Sequence, residues 1–207
     1  DSTIVTGETL DELADQAGLK AQIATVTARA MNGEIEFAAA LKERVALLAQ
    51  LPVAALERTL DRLTLMPGAC QLVRTMRHHG AHTLLVSGGF RYFTRRIAER
   101  VGFHADEAND LEIADGRLTG RVKEPILDKD AKLAALDRAA IRLATTREDT
   151  VAVGDGANDL AMLAAAGLGV AYRAKPVVAS RVPVQVNHGD LTALLYFQGY
   201  RLDDFQA

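Results

Sequence analysis

Two carboxylates four positions apart, Asp155 and Asp159, stand in the run Val151-Ala-Val-Gly-Asp-Gly-Ala-Asn-Asp-Leu-Ala-Met-Leu163. The run changes character in its middle. Thr150 to Val153 is short, apolar and β-branched, the pattern of a buried parallel strand. A helical pattern carried by Leu160, Leu163 and Ala164 starts at about Asn158. Asp155 is thereby placed at the carboxyl end of a strand, where open α/β sheets bind ligands, with Asn158 and Asp159 beside it. Gly154 and Gly156 admit close approach of backbone or ligand. Carboxylates so arranged suit a hard, oxygen-seeking cation such as Mg²⁺. The same residues serve equally as a plain strand-to-helix turn with Asn158 or Asp159 as the N-cap.

Other residues with chemical potential are scattered. Ser87-Gly88-Gly89 follows the apolar run Thr83–Val86, and a helix is expected from about Phe90 to Val101. A serine hydroxyl and the free amides of a first helical turn can seat a phosphate; a tight turn capped by Ser87 is the plainer alternative. Lys132 falls in the first turn of a helix expected over 129–143. It either neutralises a phosphate and a nearby carboxylate as a compact point charge or is an ordinary solvated lysine. Glu8 follows Gly7 near a helix start, where the dipole favours an acid in any case. Arg44 sits among Leu41, Val45 and Leu48 on an apolar helix, in a position that also suits a solvent-facing side chain.

The elements that must hold these residues are legible from periodicity. From Glu8 to Leu63 helical stripes follow one another without a strand. They are Leu10-Leu13-Ala14-Ala17, then Ile23-Val26-Thr27-Ala30, then Phe37-Leu41-Val45-Leu48. After Pro52, Leu56, Leu60 and Leu63 form the fourth. Beyond Pro67-Gly68, strands at 83–86, 150–153, 168–171 and 184–186 alternate with helices, the pattern of a parallel sheet with right-handed crossovers. Leu111 to Val122 alternates around Asp115-Gly116, a two-residue hairpin signal. A last helix is expected over 190–197.

Composition narrows the partners. A length of 207 residues accommodates one domain with a sizeable core, or a domain with a subdomain. A net charge of −3 gives no basic surface for nucleic acid or an anionic membrane. The single cysteine, Cys70, reads as a small core residue, which leaves no internal disulfide and predicts a reducing, cytoplasmic setting. No apolar run approaches the ~18 residues of a membrane span.

Taken in order, Asp1-Ser2-Thr3, a helical block, strand-Ser-Gly-Gly, a lysine and strand-Gly-Asp-Gly-x-Asn-Asp resemble the phosphoserine phosphatases of the haloacid dehalogenase-like superfamily. The resemblance extends to Thr27-Ala-Arg-Ala-Met-Asn-Gly-Glu34, Leu63-Thr-Leu-Met-Pro-Gly68, Asn109-Asp-Leu-Glu-Ile113 and Gly169-Val-Ala-Tyr-Arg-Ala-Lys-Pro176. It implies an α/β fold: a three-layer, Rossmann-like parallel-sheet core with a small helical-bundle cap and a β-hairpin insertion. The implied core is residues 1–6 and 66–207, its first strand lying upstream of residue 1. The implied cap is 7–65 and the hairpin 109–123.

The resemblance also implies roles. Asp1 matches the general acid/base, its carbonyl also on Mg²⁺. The nucleophilic aspartate of the family motif is expected two residues before Asp1. Asp155 matches the metal ligand and Asp159 its supporting carboxylate, so the metal set is Asp1, Asp155 and Asp159. Ser87, Gly88 and Lys132 match phosphate-binding positions, and Asn158 a further substrate contact. Glu8 and Arg44 match the residues that take the amino and carboxylate groups of serine. Met31 and Phe37 match the apolar lining of the lid. The implied reaction is Mg²⁺-dependent hydrolysis of L-phosphoserine to serine and phosphate through a phosphoaspartyl enzyme, the last step of serine synthesis, by a monomer or homodimer.

Alternatives in the same class are phosphatases for another small substrate such as phosphohomoserine or a nucleotide; a substrate that lacks the amino acid head group has no use for the Glu8–Arg44 pair. A receiver domain also groups acids, a hydroxyl and a lysine around Mg²⁺, but lacks a helical cap between the first acid and the serine. An inactive phosphoserine-binding fragment is the remaining reading.

Overall fold

The computed structural model describes residues 1–31 and 34–206, with the side chain of Met31 outside that description. The helical stripes fold as read. They form α1 (Thr9–Gln16), α2 (Lys20–Met31), α3 (Phe37–Leu47) and α4 (Val53–Arg62). Leu13, Ile23, Leu41 and Leu56, one from each stripe, are fully buried. Pro52 stands just before α4 with an extended backbone. The chain enters and leaves this helical block through adjacent segments. Val5 bridges Leu65 in antiparallel fashion, and Thr6 and Met66 N–H groups bond the carbonyls of Thr64 and Ile4.

Next come α5 (Ala69–His78), β1 (Leu84–Phe90), α6 (Arg91–Val101), β2 (Ala105–Asn109), β3 (Leu111–Ala114) and β4 (Arg117–Val122). They are followed by α7 (Lys129–Arg142), β5 (Val151–Gly154), α8 (Leu160–Ala165), β6 (Leu168–Tyr172), α9 (Pro176–Ala179), β7 (Val184–Val186) and α10 (Ala193–Phe197). β1 pairs in parallel with β2, and β5, β6 and β7 form a second parallel sheet in that order. Among the described residues these two sheets are not bonded to each other. In β6, Val170 and Tyr172 join the large apolar cluster that also contains Leu13, Leu41, Phe93 and Leu194. Ala171, between them, faces a second cluster with Leu136, Leu163 and Val178. Alternate residues of one strand thus feed two cores, which is what helices on both faces of a parallel sheet require. The architecture is the three-layer α/β class, with the hairpin β3–β4 added.

That hairpin turns at Asp115-Gly116, both at positive φ (50° and 72°), the backbone a two-residue turn of the mirror-image type needs. It lies along the α3–α4 connection: Gln50 N–H bonds Leu118 O and Val53 N–H bonds Gly116 O. Among the described residues, no helix is long and apolar enough to cross a membrane.

Three expectations on elements need correction. Ser87-Gly88-Gly89 lies within β1, and the helix expected from Phe90 begins at Arg91. The cause is a bulge: Val86 pairs with Glu107 and Phe90 with Asn109, so three residues oppose only Ala108. The last helix starts at Ala193 rather than Asp190, because the Asp190 carboxylate takes the Thr192 N–H in a local turn. Strand β2, Ala-Asp-Glu-Ala-Asn, was not expected at all; it has no apolar alternation, and pairing with β1 makes it a strand.

Candidate active site

The Gly154-Asp155-Gly156 corner is shaped by Asp159. After β5 the chain makes a short 3₁₀ turn, Ala157–Asp159, before α8. The Asp159 side chain folds back under the corner, its Oδ2 accepting from the N–H groups of Asp155 (3.1 Å) and Gly156 (3.0 Å). A Cβ on Gly154 would lie 2.5 Å from the Asp159 carboxyl, so residue 154 must be glycine for this packing. The other oxygen, Oδ1, is paired with the Lys132 ammonium. Asp159 is 3 % exposed, so the lysine and the two amides replace the water it has lost. Lys132 is delivered by the first turn of α7, which Asp128 caps by accepting from the N–H groups of Asp130 and Ala131.

Asp155 itself projects from the strand end. Its Oδ1 accepts from the Thr3 hydroxyl (2.9 Å). Burial is the largest influence and raises its pKa, the Thr3 bond works against it, Asp159 and Glu8 raise it further, and Lys175 lowers it. The segment Asp1–Thr3 is thereby tied to the corner. The Asp1 Oδ2 accepts from the Thr9 hydroxyl (3.0 Å) at the start of α1.

The bulge of β1 completes this floor. Ser87 is buried, and its Oγ accepts from the Gly89 N–H (3.0 Å). A Cβ on Gly89 would come within 3.1 Å of Ser87 Oγ and 3.4 Å of Asp1 Oδ2. Phe37, at the start of α3, reaches over the bulge; a Cβ on Gly88 would lie 3.3 Å from its ring. Glu8 is exposed, accepts from the Ser2 hydroxyl (2.8 Å) and acts electrostatically on both Asp155 and Arg44. Arg44 is half-buried on α3. Burial lowers its pKa most, while Asp11 and Glu8 raise it, and its Nε donates to Ala40 O (3.2 Å).

Of the residues singled out from sequence, Asp1, Glu8, Phe37, Ser87, Gly88, Lys132, Asp155 and Asp159 are linked by these contacts, and Arg44 joins them electrostatically. Asn158 is exposed on the 3₁₀ turn, its amide oxygen folded toward Gly156. Met31 lies outside the described side chains. Sequence reasoning gave no role to Thr3, Thr9, Lys175 or Asn109. Thr3, Lys175 and Asn109 lay within quoted motifs without a role of their own, and Thr9 carried no signal; Asn109 is a fully buried polar residue whose burial depends on the unexpected strand β2.

Among the described residues, no three His, Cys, Asp or Glu side chains form a ready-made metal cage. The donor chemistry nevertheless fits Mg²⁺, which keeps several waters and takes one or two carboxylates plus substrate phosphate. Asp155 retains one carboxylate oxygen outside the hydrogen bonds just described, and the Asp1 backbone carbonyl, which accepts the Thr3 N–H at 2.6 Å, has a second lone pair to offer. Asp159 has both oxygens engaged by Lys132 and the two amides.

A family model described as haloacid dehalogenase-like hydrolase matches residues 1–164. The chain belongs to that family. A phosphoserine phosphatase of Mycobacterium tuberculosis is 43 % identical over 207 residues, all of this chain and 51 % of the relative. One of Archaeoglobus fulgidus is 45 % identical over 194 residues, 94 % of this chain and 56 % of the relative. The haloacid dehalogenase-like chain thus spans about half the length of these curated relatives. A solved structure described as a substrate-bound phosphoserine phosphatase complex superposes with a TM-score of 0.87 at 38 % identity, covering 95 % of this chain and 94 % of that one.

Proposed function

We propose that this chain is the catalytic part of a cytoplasmic, Mg²⁺-dependent phosphatase that hydrolyses L-phosphoserine to serine and phosphate. The observation that carries the reading is the buried Lys132–Asp159 pair bonded into the Asp155 corner, beside the Ser87 bulge and Asp1. The names of the relatives agree with it. In this reading residues 7–65 act as a cap over a core of 1–6 and 66–207, with 109–123 as the hairpin insertion.

Phosphoryl transfer needs positioning and neutralisation of three equatorial oxygens more than it needs covalent chemistry. Lys132 supplies a fixed positive charge, and the Ser87 hydroxyl with the Gly88 amide supplies donors. A bound Mg²⁺, held by Asp155 and Asp1 with Asp159 as support, supplies further charge neutralisation at the phosphate oxygens. The nucleophile is the aspartate expected two residues before Asp1; attack on phosphorus gives a phosphoaspartyl enzyme, and the C–O bond of serine stays intact. Asp1 protonates the departing serine oxygen and then takes a proton from the water that hydrolyses the acyl phosphate. Thr9 orients the Asp1 carboxylate for that work. Glu8 pairs with the ammonium of the substrate and Arg44 with its carboxylate, while Phe37 excludes water over the phosphate. Asn158 adds a contact at the rim.

The test is phosphate release from L-phosphoserine by the intact protein, with Mg²⁺ and with chelator. Chelator-sensitive release, with phosphoserine preferred over p-nitrophenyl phosphate, is expected. Binding of phosphoserine without release would replace the hydrolase by a binding protein.

A further inference from the structure

The bulge that carries Ser87, Gly88 and Gly89 has a structural problem. Three residues of β1 face one of β2, so Gly88 has no register partner. A carbonyl left unmet in this half-buried place is destabilising, and the peptide would be free to turn. Asn109, the last residue of β2 and only 1 % exposed, fills the gap: its Nδ2 donates to Gly88 O at 2.9 Å. The same amide reaches across to the segment before α7. Its Oδ1 accepts from Leu127 N–H at 2.7 Å, and its Nδ2 also donates to Leu127 O at 3.3 Å. Both donors and the acceptor of the side chain are therefore used, and used on backbone alone.

Leu127 immediately precedes Asp128, the N-cap of α7, whose first turn carries Lys132. One amide thus ties together the two backbone segments that present Ser87–Gly89 and Lys132. We infer that Asn109 is a positioning residue that holds the Ser87–Gly89 bulge and the Lys132 turn in register as one phosphate-binding unit. No catalytic contact is assigned to it. The inference rests on the phosphate site proposed above, but it concerns affinity for phosphate and is measurable without turnover.

The experiment is calorimetric titration of inorganic phosphate, and separately of L-serine, into the intact Mg²⁺-loaded protein. Parent, Asn109→Asp and Asn109→Ser are compared. Asn109→Asp keeps the shape and the acceptor for Leu127 N–H but loses both donations; Asn109→Ser shortens the side chain, and urea unfolding of each verifies that the folded form is titrated. The expected result is phosphate affinity weakened by about tenfold in folded variants, the loss of one well-placed hydrogen bond, with serine affinity unchanged. Turnover should fall by a similar or larger factor, and equally for phosphoserine and p-nitrophenyl phosphate.

Parent-like phosphate affinity in either folded variant would overturn the inference. So would an equal loss of phosphate and serine affinity, which marks general loosening rather than positioning. If the parent binds phosphate but does not hydrolyse phosphoserine, the proposed function falls while weakened phosphate binding in the variants still supports the role of Asn109. If the parent binds no phosphate, the inference falls with the site.

Discussion

On the floor of the site the functional groups arrive already bonded. Asp159 holds two backbone N–H groups and Lys132, Asp155 holds Thr3, Ser87 holds Gly89, and Asn109 holds the bulge from behind. On the helical side Glu8 is exposed, with the neighbouring Ser2 hydroxyl on it, and among the described residues Arg44 donates only to a carbonyl of its own helix, one turn earlier. The floor must bind charge that changes little between substrate, intermediate and product, so fixing it in advance costs no reorganisation during reaction. The head-group side must admit and release a whole amino acid, and groups already committed to strong partners would have to give them up. The difference teaches that catalysis and selectivity are built here from different stock: buried, satisfied groups for one, available groups for the other.

The sharpest way to break this comparison is to damage the floor. Lys132→Ala leaves Asp159 buried with its amides but no counter-charge. Breaking a buried pair by removing one partner costs ~3–5 kcal/mol, so the variant should unfold at clearly lower urea. Turnover should fall by about 10³-fold for any phosphate ester, the scale of losing one preorganised charge stabiliser. Parallel assays on phosphoserine and p-nitrophenyl phosphate check it. A loss confined to phosphoserine would mean that Lys132 serves the head group and that the division of labour is misdrawn.

Damage on the other side should look different. Arg44→Ala removes a half-buried guanidinium that, among the described residues, no side-chain bond holds in place. With phosphoserine kcat/KM should drop by about 10²-fold, as for loss of a charged hydrogen-bonding partner of the substrate. With p-nitrophenyl phosphate, which has no carboxylate, it should stay within about twofold. The urea midpoint should move little, in contrast with Lys132→Ala. Equal losses on both substrates would favour a phosphatase for another small ester.

How much of this was legible in the chain follows the same line. The helices α1–α4 and strands β5 and β6 have periodicity that burial merely enforces, and Leu13, Leu41 and Val170 sit where their patterns put them. The Asp155–Asp159 spacing carried its corner because both residues and both glycines are local. Ser87 was seen, but as the start of a helix; the bulge that shapes it is decided by pairing with β2, whose residues have no strand pattern. Asn109 and Thr9 could not be weighted for a related reason. Their importance lies in a partner distant in sequence or in a burial that only tertiary packing creates.

The smallest of these effects concerns the strain the floor carries when no cation is bound. Burial, with Asp159 and Glu8 nearby, raises the Asp155 pKa above the ordinary carboxylate value despite the Thr3 bond. A carboxyl that binds its proton more tightly folded than unfolded lowers stability as pH rises from its unfolded pKa through its folded one. Chelated protein should therefore lose stability across that window, whereas Asp155→Asn, which never ionises, should lose less. Mg²⁺ favours the ionised form, so its stabilising effect should be larger at pH 7 than at pH 5, amounting to about 2–4 °C in Tm per kcal/mol of linkage. Thermal unfolding of both proteins at the two pH values, with Mg²⁺ and with chelator, reads all of this at once. An Mg²⁺ stabilisation that is the same at both pH values, or that survives Asp155→Asn undiminished, would place the cation elsewhere and leave the acidic corner as a purely structural part of the floor.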